Sequence, residues 1–210
     1  MKTCLIIGNG PSLAKIPNDF LKKYTTFGSN RVYLKYTPDY YAFVDRLWIV
    51  NYLDDINNLI STRTGKPPEK FIHHKFAKFI PGSHPYNNRA NRKEFSFEPL
   101  EWCWDGSTVT FVHLQLAFYY GFERALLIGV DHHYDKQGAV GQVCMGKDTS
   151  HFTKDYYDDH VNWWQPDLDK FTKSYQIAQE VYSKAGREVI NLTPGTHLDV
   201  FRKDNWKKWA

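Results

Sequence analysis

The sequence predicts an α/β fold in which a Rossmann-like parallel sheet carries helices on both faces, within a single domain. The chain begins with a short apolar run, TCLII at residues 3–7, which is typical of a buried parallel strand. A second run, RALLIGV at residues 124–130, follows a segment with helical spacing. A helix followed by a buried strand indicates a βαβ unit, and such units build parallel sheets. A length of 210 residues suits one large core and is short for two.

The first half of the chain adds strands and a helix to this prediction. Short apolar runs predict strands at Thr25–Gly28, Tyr40–Val44 and Lys70–His73. Helical spacing predicts a helix over Leu47–Ile60, with one apolar face formed by Leu47, Val50, Leu53, Ile56 and Ile60. From Thr62 to Pro99 the chain is rich in Pro, Asn, Lys and Arg and has little periodicity. We therefore expect a loop-rich insertion at about residues 62–99.

The second half alternates helix and strand. An apolar helix is predicted over Val109–Tyr120, starting after Gly106-Ser107-Thr108 and ending at Gly121. After the strand at residues 124–130 comes a polar, histidine-rich stretch at residues 131–165. The last predicted elements are a helix at Leu168–Ala185 and a strand at Glu188–Leu192.

Composition and cysteine usage limit the class of protein. The net charge of +4 is compatible with a phosphorylated ligand, and the chain has no run of basic residues with interleaved aromatics, so we expect no nucleic acid partner. The three cysteines include no CxxC pair, which favours a reducing, cytoplasmic compartment over a disulfide framework or a thiolate zinc site. The opening MKTCLIIGNGPS is unlike a signal peptide, and no apolar stretch reaches transmembrane length.

A glycine-rich turn, Gly8-Asn9-Gly10-Pro11-Ser12-Leu13, follows the first predicted strand. Ligands of open α/β sheets bind beyond the carboxyl ends of the strands. Glycines there would let backbone N–H groups approach phosphate or ribose, and Asn9 and Ser12 would add hydrogen bonds. The turn matches neither GxGxxG nor a P-loop, so an ordinary strand-to-helix turn is the alternative.

The motifs GNGPSL, FGSNRVYL, PDYYAFVD, DGSTVTFVHLQLAFYYGFERALLIGVDHHY, SHF and TPG together resemble one family. The chain resembles the bacterial relatives of the archaeal 6-hydroxymethylpterin pyrophosphokinase-like family, which also includes the motility-accessory-factor proteins implicated in flagellin glycosylation. It is more distantly similar to the bacterial CMP-sialic-acid-dependent sialyltransferases. The resemblance covers nearly the whole chain except residues 51–99 and implies one nucleotide-binding domain.

The resemblance also implies roles for individual residues. Nucleotide contacts would come from Gly8, Asn9, Gly10, Ser12, Asn30, Gly106, Ser107 and Thr108. Asn9 and Ser12 would meet phosphate and ribose, and the backbone of residues 106–108 would meet the base or ribose. Tyr134 would support the departing phosphate. His151 falls where the sialyltransferases place a catalytic histidine, and an imidazole can take a proton from an acceptor hydroxyl near neutral pH.

Three functions remain open at this point. The first is a sialyltransferase-like glycosyltransferase for cell-surface glycan synthesis, which uses a nucleotide-activated sugar such as a CMP-linked one, acts on a glycan or small-molecule acceptor and requires no cofactor. The second is a pyrophosphokinase that needs ATP and Mg²⁺, with Asp45 and Asp131 as metal ligands. The third is a non-catalytic nucleotide-binding module. We favour the first, and with it a site without metal.

Aromatic residues suggest two further contacts. Trp102, Trp104, Trp163 and Trp164 would either line an acceptor groove or pack in the core, and packing is the more common role. The C-terminal tail combines Trp206 and Trp209 with the basic residues Arg202, Lys203, Lys207 and Lys208. Such a tail would either make peripheral contact with an anionic inner membrane or remain a solvated terminus, and the terminus is the simpler expectation.

Overall fold

The structure is a computed structural model that describes residues 1–135, 138–146 and 149–210, apart from the side chain of Trp48. The predicted polar stretch at residues 131–165 lies partly outside these residues. In the described part, the strands are β1 (Thr3–Ile7), β2 (Thr25–Ser29), β3 (Tyr40–Phe43), β4 (Glu69–His73), β5 (His84–Asn88), β6 (Trp102–Cys103), β7 (Arg124–Ile128), β8 (Val143–Met145), β9 (Asn162–Trp164), β10 (Glu188–Asn191) and β11 (Arg202–Lys203). The α-helices are α1 (Asn18–Lys22), α2 (Leu47–Asn57), α3 (Val109–Tyr119) and α4 (Leu168–Lys184).

Nine of these described strands form one parallel sheet in the order β11-β10-β7-β1-β2-β3-β4-β5-β6. From β1 the chain builds the sheet outward to β6, and it then returns through α3 to place β7 on the other side of β1. The loops that leave β1 and β7 therefore diverge at the centre of the sheet, which is where ligands bind in open α/β folds.

Helices cover both faces of the sheet, as predicted. The alternating side chains of β1 reveal the two layers, because Cys4 and Ile6 pack with α3 and α4 while Leu5 and Ile7 pack with α1. Farther along the sheet, the helix α2 covers Tyr41 and Phe43 of β3. Both faces of the central strands are thus buried, which explains their continuous apolar sequences. The α/β, Rossmann-like class is confirmed.

The predicted helix over residues 47–60 exists, but its buried face is different. Val50 and Ile60, which were expected on the apolar face, are exposed, and the residues buried there are Tyr52, Ile56 and Leu59. The backbone of Tyr52 leaves helical geometry, with φ −137° and ψ 27°, so the helix kinks at its middle. A kink breaks the regular period on which the prediction of one face relied.

The segment at residues 62–99 contains more regular structure than the predicted loop. It supplies β4 and β5, which extend the parallel sheet toward its β6 edge. The sequence of β5, HPYNN, is mostly polar and therefore gave no apolar signal. The short strands β6 and β11 and the antiparallel hairpin formed by β8 and β9 were also not predicted.

The C-terminal tail is folded onto the body, so the expectation of a solvated terminus is wrong. The indole of Trp206 packs against Phe20 with ring centroids 5.4 Å apart. The hydroxyl of Tyr24 donates to the carbonyl of Trp209, and the Arg124 guanidinium lies 5.1 Å from the indole of Trp209. Of the helices described, none combines the length and apolar character needed to cross a membrane.

Candidate functional site

A cavity of about 330 Å³ opens at the carboxyl edge of the sheet, beside the ends of β1, β2, β3 and β7. Its walls come from the loops after these strands, from α2, from the start of α3, from residues between 150 and 167, and from α4. The predicted residues that line it are Gly8, Asn9, Gly10, Asn30, Asp45, Ser107, Thr108, Asp131, Tyr134 and His151. Ser12 and Gly106 do not line it.

The glycines after β1 allow two loops to pack closely. The Gly8 N–H donates to the carbonyl of Ile128 at 2.7 Å, and the Gly10 N–H donates to the carbonyl of Gly129 at 2.9 Å. A Cβ atom on Gly8 would lie 2.4 Å from the Gly129 carbonyl oxygen. The expectation that these amides face a phosphate therefore needs correction, because the Gly8 amide already donates to the last residue of β7 and the Gly10 amide to the residue after it. The glycines are required for the fold of the cavity wall.

Two asparagines line the cavity, and each has a buried side-chain oxygen. The Asn9 Nδ2 donates to the Ser29 carbonyl at 3.2 Å, which fixes the orientation of its carboxamide. Its Oδ1 is buried and accepts no hydrogen bond from the described residues, and the same holds for Asn30 Oδ1. Asn30 has a left-handed backbone, with φ 54°, and its own carbonyl accepts from the Tyr41 hydroxyl at 2.7 Å. Because a buried acceptor without a donor is costly, both oxygens are suited to hydroxyl or amino groups of a ligand.

Ser12 contacts the chain rather than the cavity. Its backbone N–H donates to Asp131 Oδ1 at 3.1 Å, and its hydroxyl donates to Asp131 Oδ2 at 2.7 Å. The prediction of a direct ligand contact by Ser12 therefore needs correction, since the serine holds a carboxylate that lines the cavity. Burial raises the pKa of Asp131, and the two hydrogen bonds from Ser12 oppose that rise.

The carboxylates considered as metal ligands already accept hydrogen bonds from the protein. Both oxygens of Asp131 accept from Ser12, and Asp45 Oδ1 accepts from the Leu47 N–H at 2.9 Å. Burial also raises the pKa of Asp45. Within residues 1–135, 138–146 and 149–210, no three His, Cys, Asp or Glu side chains are grouped as a metal site.

The start of α3 faces the cavity and provides a positive end of a helix dipole. Ser107 has φ 64°, and its N–H donates to Asp105 Oδ1 at 2.9 Å, while Val109 and Thr110 line the cavity. The first turn of a helix attracts anions because its N–H groups lack intrahelical partners. Gly106, by contrast, lies against Ser174, where a Cβ atom would come within 2.6 Å. Gly106 is therefore a packing residue.

His151 lies at the cavity, where its ring contacts the rings of three tyrosines. Its ring stacks on that of Tyr156, with centroids 3.8 Å apart and planes 8° from parallel. Tyr157 and Tyr134 meet the same ring edge-on, at 5.3 Å and 6.1 Å. The N–H of Phe152 donates to the Asn9 carbonyl at 3.0 Å, which ties this segment to the glycine turn. The structure thus brings His151 and Tyr134 to the cavity that Asn9 and Asn30 line.

Arg31 is a buried side chain to which the sequence analysis assigned no role. Its Nη1 donates to the carbonyls of Tyr156 at 2.7 Å and Asp155 at 3.0 Å, and its guanidinium lies 4.3 Å from the ring centre of Tyr52. It therefore fastens the segment after His151 to the end of β2. Its place beside Asn30 was its signal in the sequence, and the two carbonyls to which it donates lie 124 and 125 positions away.

His132 follows Asp131, which was considered as a metal ligand, and it also lies at the cavity. It lines the cavity with a left-handed backbone, φ 55°, and its Nε2 lies 3.0 Å from Thr172 Oγ1 of α4. Burial lowers its pKa, with a further lowering from the nearby His197. A strained histidine at the end of a central strand is typical of functional sites.

The four tryptophans divide between the two roles considered for them. Trp163 and Trp164 line the cavity. Trp104 packs edge-on against Phe111 of α3, and Trp102 lies under the Arg92 guanidinium, 4.6 Å from it. Of these four tryptophans, the two in β9 therefore belong to the cavity wall and the other two pack elsewhere.

Comparison with known proteins identifies a shared fold. No protein-family model matches the chain, and no curated protein matches it by sequence. The chain is similar to the sialyltransferase CstII from Campylobacter jejuni, solved in complex with a substrate analogue, cytidine-5'-monophosphate: the two are 18% identical over 97% of this chain and 84% of that chain, with a TM-score of 0.52. Two single-residue variants of the sialyltransferase CST-II, both in complex with CMP, are 16% identical to it, each with a TM-score of 0.50 and 85% of its own chain covered. These matches cover 95% and 96% of this chain. At this level of identity the likeness shows that the chain has the fold of these enzymes.

Proposed function

We propose that this chain is a sialyltransferase-like glycosyltransferase that uses a nucleotide-activated sugar. The observation that carries the proposal is the cavity itself, where His151, Tyr134, Asn9 and Asn30 line one space at the carboxyl edge of the sheet. A shared fold alone does not establish an activity. The likeness of the fold to that of CMP-bound sialyltransferases supports the proposal.

The donor we propose is a sugar linked to a nucleoside monophosphate, and CMP-linked sugars are the first to test. The start of α3 suits the phosphate, because a helix N-terminus stabilises an anion without a metal ion. The buried Oδ1 atoms of Asn9 and Asn30 suit the hydroxyl groups of ribose or the amino group of a base.

In the proposed reaction, His151 takes the proton of an acceptor hydroxyl, and the oxygen attacks the anomeric carbon of the donor sugar. The bond between that carbon and the phosphate oxygen breaks, and its electron pair leaves with the nucleoside monophosphate. Tyr134, beside the His151 ring, would donate a hydrogen bond to the leaving phosphate. The proton on His151 passes to solvent or to the released phosphate before the next turnover.

The proposed transfer does not depend on Mg²⁺. The hydrogen bonds that Asp131 and Asp45 already accept argue for structural roles of these carboxylates. We therefore expect transfer to continue in EDTA. Transfer that stops in EDTA and returns with Mg²⁺ would instead favour the pyrophosphokinase, with both aspartates as ligands.

Replacement of His151 tests the function. We expect His151→Ala to lower turnover by about 10²–10⁴-fold, the usual contribution of a general base, with nucleotide affinity unchanged because the base acts on the acceptor. His160→Ala is the matched control, since His160 is an exposed histidine in the same segment and does not line the cavity. Product formation is followed by NMR with donors and acceptors found by screening. Full turnover by His151→Ala would contradict the mechanism.

A further inference from the structure

The hairpin formed by β8 and β9 has one buried face and one exposed face. Its register pairs Val143 with Trp164 and Met145 with Asn162, so these four side chains share a face. All four are exposed, and we call the surface that they form the hairpin face. We infer that the hairpin face rests on the lipid–water interface of a membrane. The inference does not depend on the proposed transfer.

The buried face holds the hairpin to the body of the protein. It carries Cys144 and Trp163, which are paired with each other across the two strands. The indole of Trp163 stacks on the ring of Tyr157, with centroids 5.9 Å apart, and its Nε1 donates to the Gly146 carbonyl at 3.0 Å. Because side chains alternate along a strand, fixing this face leaves the hairpin face directed away from the body.

The hairpin face is apolar although the fold requires no apolar side chain there. Val143, Met145 and Trp164 are 43%, 69% and 52% exposed, and Val140, in the turn before β8, is 64% exposed. An outward position of a hairpin accepts a polar residue, as Asn162 shows. Single exposed apolar side chains are ordinary on a protein surface, whereas a cluster of them marks a surface that contacts something else.

The size of the hairpin face favours a membrane over a second protein. A stable protein interface takes about 20–30 residues and about 800 Å² from each partner. The hairpin face has four positions, and Val140 extends it by one. Shallow binding to a bilayer requires only that a few apolar side chains leave water, because lipid molecules adapt to the shape of what they contact.

The open edges of the hairpin limit how deeply it enters the bilayer. Among the strands that the structure describes, β8 and β9 pair only with each other, so backbone groups on their outer edges need water. The hairpin therefore lies among the lipid headgroups and does not enter the hydrocarbon. Tryptophan suits this depth, because its ring is apolar and its N–H makes a hydrogen bond. Trp164 is thus placed at the headgroups, with Val143 and Met145 beside it.

The charges around β9 decide which lipids the hairpin face contacts. Over residues 154–170, exposed carboxylates outnumber exposed ammonium groups. The acids are Asp155, Asp158, Asp159 and Asp169, and the bases are Lys154 and Lys170. Anionic headgroups attract basic segments, so a segment with this charge gains nothing from them. We therefore expect the hairpin face to bind zwitterionic lipid as well as it binds mixtures with anionic lipid.

Flotation with vesicles of pure dioleoylphosphatidylcholine tests the inference on the native chain. We expect the native protein to float with the vesicles in a fraction that rises with lipid concentration. The hairpin variant, Val143→Ser with Met145→Ser, should have a partition coefficient about tenfold or more lower, because two apolar side chains lose their lipid contact. Val50→Ser with Phe97→Ser is the matched control and should float like native protein, since these side chains are 68% and 57% exposed elsewhere on the surface.

A second measurement locates the contact without a change in β8. Phosphatidylcholine brominated on its acyl chains quenches the fluorescence of indoles close to the bilayer. We expect the fluorescence of native protein to be quenched more than that of Trp164→Phe, because Trp164 is the exposed indole of the hairpin face. Thermal melting confirms that each variant is folded.

Several results would overturn the membrane contact. They are native protein that does not float, a hairpin variant that floats as native protein does, an equal loss in the hairpin and control variants, and equal quenching in native protein and Trp164→Phe. Flotation that requires phosphatidylglycerol and persists in the hairpin variant would assign the contact to the basic C-terminal tail instead. A native dimer in sedimentation that the hairpin variant no longer forms would assign the hairpin face to a second copy of the chain.

Discussion

At the scale of single residues, Asn9 and Ser12 illustrate how neighbours in one turn take different roles. The Oδ1 of Asn9 is a buried acceptor at the cavity, whereas Ser12 holds Asp131. We expect Asn9→Ala to weaken nucleotide binding by about 1–3 kcal/mol, the usual effect of losing one buried polar partner. Ser12→Ala should lower the free energy of unfolding and leave nucleotide affinity nearly unchanged. Calorimetry and urea unfolding of both variants measure this, and an equal loss of affinity in the two would contradict the assignment.

Asn30 needs a different substitution for the same test. Its φ of 54° is unfavourable for alanine, so Asn30→Ala would add strain to the loss of the carboxamide. Asn30→Gly removes the carboxamide and keeps the backbone conformation available. We expect its nucleotide affinity to fall as that of Asn9→Ala does.

The sequence predicted those site residues whose position depends only on the end of a strand. Asn9 follows β1 and Asn30 follows β2, and parallel strands bring their carboxyl ends to one edge. It could not predict that Ser12 would bind a carboxylate 119 positions away, or that Gly106 would lie against Ser174. Those partners depend on how the elements pack, and no local pattern encodes them. Arg31 was missed for the same reason.

At the scale of elements, the segment that carries His151 is held by Arg31. Removal of this guanidinium leaves the carbonyls of Asp155 and Tyr156 without their buried donor. We expect Arg31→Met to loosen residues 150–161, by a local free energy of about 1–3 kcal/mol. Hydrogen exchange followed by mass spectrometry should rise there and remain unchanged in β1 and β7. Arg46→Met, at an exposed arginine, serves as the control, and unchanged exchange in Arg31→Met would refute the role.

The elements that the sequence predicted well are the buried central ones. Each of these elements packs in the core, so its sequence has a long apolar run or clear helical spacing. They are the strands β1 and β7 and the helices α3 and α4. The edges were predicted poorly, since β5 is polar and β6 and β11 have two residues each. A short or exposed strand forms because it pairs with the neighbouring strand, so its own sequence need not show the apolar pattern that predicts a strand.

At the scale of the whole molecule, His113 links stability to pH. It lies fully buried in α3 near Phe27, and burial lowers its pKa from 6.5 to about 3. Between these two pH values, His113 is therefore protonated in the unfolded chain and neutral in the folded chain. Above pH 6.5, His113 is neutral in both the folded and the unfolded chain. As the pH falls from 6.5 toward 3, protonation of the unfolded chain lowers the free energy of unfolding by about 1.4 kcal/mol for each pH unit.

His113→Leu should remove this part of the pH dependence. Between pH 6.5 and pH 5 we expect the native protein to lose about 2 kcal/mol more unfolding free energy than His113→Leu does. Urea unfolding at several pH values measures the difference, and all other titrating groups are common to the two proteins. An exposed histidine replaced in the same way, His160→Leu, should follow the native curve. Parallel curves for native protein and His113→Leu would show that His113 is not the linked group.

The central claim is that the cavity at the carboxyl edge of the sheet binds a nucleotide without a metal ion. Calorimetric titration of the native protein with CMP in the presence of EDTA tests it most directly. The account predicts saturable binding of one CMP for each chain, weakened in Asn9→Ala and Asn30→Gly and unchanged in His151→Ala. The absence of saturable heat with CMP, and likewise with UDP, GDP and ATP, would contradict it.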